Sequence, residues 1–176
     1  MEFAYRPELW RDLFDMVALA AVTLTGFLSV GLSINTRRIV DTPAHFARAR
    51  EALIALTLLL TVAIFVLIPE QGRVALGVEL VGLSILVVVV TLPLQSHTLH
   101  HLPAKRRPAW RRRLVGLNSA TLSITVAGVG LVTGKLGGFL WLLPTILICL
   151  VWSTNNAWSL AIDAGSKHHD RGERVT

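Results

Sequence analysis

One carboxylate stands inside an apolar run of this 176-residue chain, and it is the first residue whose type and place could do chemistry. Glu79 lies five residues into the stretch 74–94. A carboxyl group at that depth in a hydrophobic segment is costly, so it reads as a proton- or ligand-carrying group by default. The plainer reading is that it sits near enough to a boundary to reach water, Arg73 or Lys135.

A second constellation is made of amides and one imidazole. Asn35 closes the first apolar run, Gln95 and His97 close the third, Asn118 opens the fourth, and Asn155 and Asn156 lie late in the fifth. In a bundle of spanning helices all of them fall at a similar depth. They would either hold helices together, at about 1 kcal/mol per interhelical hydrogen bond, or line a polar vestibule for a ligand.

His97, His100 and His101, with His168 and His169 further on, raise a metal reading. A catalytic zinc site takes three protein ligands, typically with a carboxylate or cysteine available, and this stretch supplies neither. The metalloprotease, phosphate-loop and nucleophile-elbow motifs are all absent from the sequence. Cys149 is the sole cysteine and lies in an apolar run, where a thiol behaves as a small hydrophobe. The sequence therefore predicts no enzyme, no metal site and no cofactor.

The elements that must position these residues are apolar blocks. Hydrophobic residues make up 53% of the chain and charged residues only 16%, too few to cover a soluble domain. Five blocks are long enough, or nearly so, to cross a bilayer, at about 16–34, 52–68, 74–94, 114–132 and 139–161. The expected fold is all-α: a polytopic transmembrane bundle of five spans forming a single domain over 1–165, with a polar tail at 166–176. Pro7, Pro43 (after Thr42) and Pro108 are placed to start helices.

Basic residues set the expected orientation, because cytoplasmic loops retain them. Arg6, Arg11, Arg73 and Lys135 fall on one side, and the remaining thirteen of the 17 Lys and Arg residues on the other. The N-terminus is thus expected outside and the C-terminus in the cytoplasm. Arg37, Arg38, Lys105, Arg106, Arg107, Arg111, Arg112 and Arg113 would meet anionic lipid there, each contributing roughly 1 kcal/mol. With only Trp110 among them to stack on a base, no nucleic-acid partner is expected.

Small and polar residues recur along two blocks: Ala21, Thr25, Ser29 and Ser33 in the first, then Ser119, Ser123, Ala127, Gly130 and Gly134 in the fourth. Such stripes let helix backbones approach closely. The second block is nearly uniform Leu, Ile, Val and Ala. The expected bundle therefore has the first and fourth helices toward its centre and the second most exposed. Pore lining is the alternative use of the stripes.

The run LTGFLSVGLSINTRRIV, followed by a proline-containing loop and RAREAL, resembles a family of small bacterial five-helix integral membrane proteins, still uncharacterised. The run LLPTILICLVWSTNNAWSLAID is similar to that family's last helix. Some members carry an automatic label as modulators of the membrane AAA+ quality-control protease. The resemblance implies bacterial origin and a multi-pass plasma-membrane location, and it transfers no functional residue. Together these features predict a non-enzymatic protein that associates with itself or with a partner membrane complex. The alternative is a small oligomeric channel or transporter using Glu79 and the amide cluster.

Overall fold

The computed structural model describes the backbone of residues 2–34, 43–101 and 107–172, and the side chains of 3–33, 49–92, 116 and 118–158. Among these residues the chain is all-helical. Two short 3-10 turns, Glu2–Tyr5 and Pro7–Trp10, lead into α1 (Arg11–Ile34). There follow α2 (Pro43–Leu67), α3 (Arg73–His101), α4 (Arg107–Thr133) and α5 (Leu142–Gly172), with a further 3-10 turn at Gly138–Trp141. The prolines act as expected: Pro43 opens α2, Pro108 is the second residue of α4, and Pro7 begins the 3-10 turn that runs into α1. The last helix continues to Gly172, so most of the polar tail extends it.

Among the described residues, four segments are long and apolar enough to cross a membrane: Pro7–Ser33, Ala49–Leu67, Arg73–Leu92 and Gly138–Trp158. Asn118–Thr133, the part of α4 whose side chains are mostly described, is apolar but shorter. The connections Ile68–Gly72 and Gly134–Gly137 are tight, with Glu70 and Leu136 at positive φ. They bring α2 to α3 and α4 to α5 at one end of the bundle, here the turn end. The C-terminal end of α1, the N-terminal end of α2, the C-terminal end of α3 and the N-terminal end of α4 lie at the opposite end.

The arrangement inside the bundle differs from the sequence expectation. Instead of being the most exposed helix, α2 is an inner one, packing on both α1 and α5. Its apolar segment is 44% buried, against 22% for the segment containing α1. Ala49, Ala52, Ala55, Leu56, Leu59, Val62, Ala63 and Val66 form its buried face. Alanines at helical spacing let two neighbours come close, and a uniformly apolar composition does not reveal that face.

By contrast, α1 lies at the edge. It buries only a narrow stripe, Phe14, Val17, Ala21 and Leu28, while Met16, Leu19, Val22, Phe27 and Val30 stay exposed. The expected stripe of small residues turns outward along its length: Ala21 is buried, Thr25 partly so, and Ser29 and Ser33 are exposed. The hydroxyls of Thr25, Ser29 and Ser33 donate to carbonyls of their own helix. A hydroxyl bonded to its own helix needs no burial against another, which is why polarity there does not dictate burial.

For α4 the central placement does hold. It packs on α3 and α5 and buries Ala120, Ser123, Ile124, Ala127 and Leu131. Its contact with α3 is a backbone crossing. A Cβ on Gly128 would stand 2.7 Å from the Gly77 carbonyl oxygen, and one on Gly77 would stand 2.7 Å from that of Gly128. α3 touches little else; it meets α2 only lightly.

Candidate functional site

Glu79 sits one flank away from this crossing. Gly77 and Val81 face Gly128, and a residue two positions from either is turned about 200° around the helix. Glu79 therefore points away from α4. It is partly buried, and its Oε2 is out of solvent with no hydrogen-bond partner. The nearest cation in sequence is directed elsewhere: Nη1 of Arg73 lies 3.0 Å from where a Gly134 Cβ would be. An unmatched carboxylate oxygen is the least satisfied acidic atom a bundle can hold, because a buried acceptor without a donor keeps its full desolvation cost.

The expected polar cluster falls partly outside the described residues. Asn35 does so entirely; Gln95 and His97 lie on helical backbone whose side chains are not described. Of the rest, Asn118 and Asn155 are exposed, and Asn156 is buried with Nδ2 unpartnered. Asn118 lies on the side of α4 opposite its buried row, so it does not share a packed face with Asn156. The basic residues Arg37, Arg38, Lys105, Arg106, Arg107, Arg111, Arg112 and Arg113 all have undescribed side chains. The backbone of α3 is helical through His101, which places His97 and His101 one turn apart. Among the described residues no three His, Cys, Asp or Glu side chains gather as a metal set. Cys149 is buried and unpaired within α5.

Polar contacts across helices come from residues that carried no weight in the sequence. Ser153 Oγ donates to the Ala52 carbonyl at 3.4 Å, joining α5 to α2. Thr145 Oγ1 donates to the Ala120 carbonyl at 3.2 Å, joining α5 to α4. Ser123 Oγ, by contrast a member of the expected α4 stripe, donates to the Trp141 carbonyl. Thr145, Cys149 and Ser153 recur every four residues on α5 and are all buried. That spacing was the available signal. Trp152, without a role in the sequence, lies against Gly116 of α4, its ring 3.4 Å from where a Cβ would be.

At the turn end the N-terminal segment docks onto the α4–α5 connection. The Gly137 amide donates to the Tyr5 hydroxyl at 2.8 Å. Trp10 stacks on Phe139 with ring centroids 5.7 Å apart, and Phe14 meets the same ring edge-on at 6.2 Å. Gly138 has φ of +40°, and a Cβ there would collide with the Ala4 carbonyl and press on the Tyr5 ring. Glycine is thus required twice over, by backbone conformation and by space.

No protein-family model, curated protein or solved structure is significantly similar to the chain.

Proposed function

We propose that this chain is a non-enzymatic, multi-pass protein of the bacterial plasma membrane that works by helix association, with itself or with a partner membrane complex. The membrane reading is supported by the outer surface of α3. From Val74 to Leu92 its exposed positions are Val, Ala, Gly, Ile and Leu without a single charge, which suits lipid and not water. The bacterial assignment rests on the family resemblance alone. Five spans, with the N-terminus outside and the arginine-rich loops in the cytoplasm, are part of this proposal; four candidate spans and one shorter apolar helix support the count. Docking of the N-terminal segment brings Arg6, Arg11, Arg73 and Lys135 together at the turn end, which supports reading them as one side of the membrane.

One observation carries the association reading. Gly26 and Gly31 on α1 and Gly82 on α3 lie on exposed faces, with nothing within 4 Å of where a Cβ would stand. A helix-interior glycine costs about 0.5–1 kcal/mol relative to alanine. Gly77, Gly128 and Gly138 answer that cost inside the chain, where a Cβ would collide. Gly26 and Gly82 have no such use within one copy and suit the close approach of another helix. Affinity capture in mild detergent is expected to recover a stoichiometric partner or a homo-oligomer. A strictly monomeric, partnerless protein would sink the reading.

A second reading, a small oligomeric channel or transporter, draws on the unmatched Oε2 of Glu79. Liposome flux assays across protons and common ions separate the two. Conduction by the wild type that is lost in Glu79→Gln would make transport the better reading; absence of flux leaves association.

A further inference from the structure

We propose that residues 2–10 form a releasable strap that clasps the α4–α5 connection and closes the seam between α1 and α5 at the turn end. The segment has little to hold it in shape by itself. Its two 3-10 turns are four residues each, and the backbone bonds Arg6 N–H to Phe3 O and Leu9 N–H to Arg6 O measure 3.5 and 3.2 Å. Turns of this type have poor hydrogen-bond geometry and little stability alone. Phe3 and Leu9 are exposed, so they add no anchoring surface.

What fixes the segment is a small set of contacts to residues 137–139. Tyr5 accepts from the Gly137 amide, Ala4 and Tyr5 close over Gly138, and Trp10 covers the face of Phe139. The Trp10 indole N–H also donates to the Phe3 carbonyl at 2.9 Å, tying the strap's two turns together. The contacts are therefore coupled. Loss of the Trp10 stack frees both turns and uncovers Phe139, which is fully buried while they are docked.

The seam below is weak. α1 packs mainly on α2 and only lightly on α5, so the strap is the main bond between the start of α1 and the α4–α5 connection. A segment held by few contacts opens at lower free energy than a packed core, and here the opening unit is the strap with 134–141. This device is independent of the association reading.

Hydrogen–deuterium exchange on the full-length protein in nanodiscs, read by mass spectrometry, tests it. In the wild type, segments 3–10 and 134–141 are expected to show matched protection, well below that of 53–66 in α2. Tyr5→Phe, which removes one hydroxyl, should speed exchange in both segments about fivefold, the effect of losing one ordinary net hydrogen bond. Segment 73–92 of α3 should be unchanged. Trp10→Ala should act in the same direction and further; if it also unprotects α3, the milder Tyr5→Phe variant decides. Protection of 134–141 equal to that of α2 would overturn the proposal. So would a 134–141 segment that exchanges freely in the wild type or ignores Tyr5→Phe.

Discussion

α2 and α3 are both strongly apolar, with mean hydropathy of 2.2 and 2.5 over their apolar segments, yet they occupy opposite places in the bundle. α2 sits between α1 and α5, and α3 leans on α4 with its far side open. Hydrophobicity does not separate them, because the more apolar helix is the more exposed. What differs is where the small residues lie. In α2, Ala49, Ala52, Ala55 and Ala63 share the buried face. In α3 the glycines are split: Gly77 meets α4, and Gly82 faces outward. On the proposed membrane reading, burying an apolar side chain gains little over leaving it exposed in lipid, so close backbone approach decides which helices lie inside.

That contrast can be broken by adding volume. The largest effect is expected at the α3–α4 crossing, where Gly128→Leu drives a side chain into the Gly77 carbonyl and Val81. A loss of about 3 kcal/mol is expected there, read as a lower thermal midpoint in detergent or as failure to accumulate. Ala52→Leu on α2 comes next. It overpacks the contact with Ser153 and should cost about 2 kcal/mol by the same measurement. Both substitutions would have to be tolerated for the contrast to fail.

Polar contacts sharpen the comparison at a lower level. Thr145→Val and Ser153→Ala each remove one bond between helices and should cost about 0.6 kcal/mol apiece. Equilibrium unfolding of single and double variants checks this, with additive losses expected because the two bonds join α5 to different helices. The smallest effect belongs to the open side of α3. Gly82→Leu meets nothing within 4 Å and should stabilise a single copy slightly, by about 0.5 kcal/mol, as the cost of a helix-interior glycine is removed.

Much of the helix layout was legible in the sequence, because long apolar blocks and proline placement mark where helices run and start. Pro43 marked the start of α2 within the loop. The neighbours of each helix were not legible. The Ala21–Ser33 stripe of α1 looks like a packing face, but its hydroxyls bond to their own helix and its far half is exposed. The alanines of α2 were hidden in a uniformly apolar run. Glu79 was legible as a residue of interest from depth alone, and its unmatched oxygen needed the structure. Ser153 and Thr145 were missed because serine and threonine usually satisfy themselves within the helix, as Thr91 and Ser84 do here. The strap was illegible for another reason: Tyr5 and Gly137 are 132 residues apart, and no local pattern joins them.

Association through the open glycine faces is most directly tested by energy transfer between labelled copies in liposomes, measured as protein is diluted into lipid. Wild-type chains should stay paired, or pair only with the captured partner, at dilutions where Gly26→Leu and Gly82→Leu separate while keeping thermal midpoints no lower than the wild type's. Variants that associate as tightly as the wild type, or a wild type that binds neither itself nor a partner, would contradict the association reading.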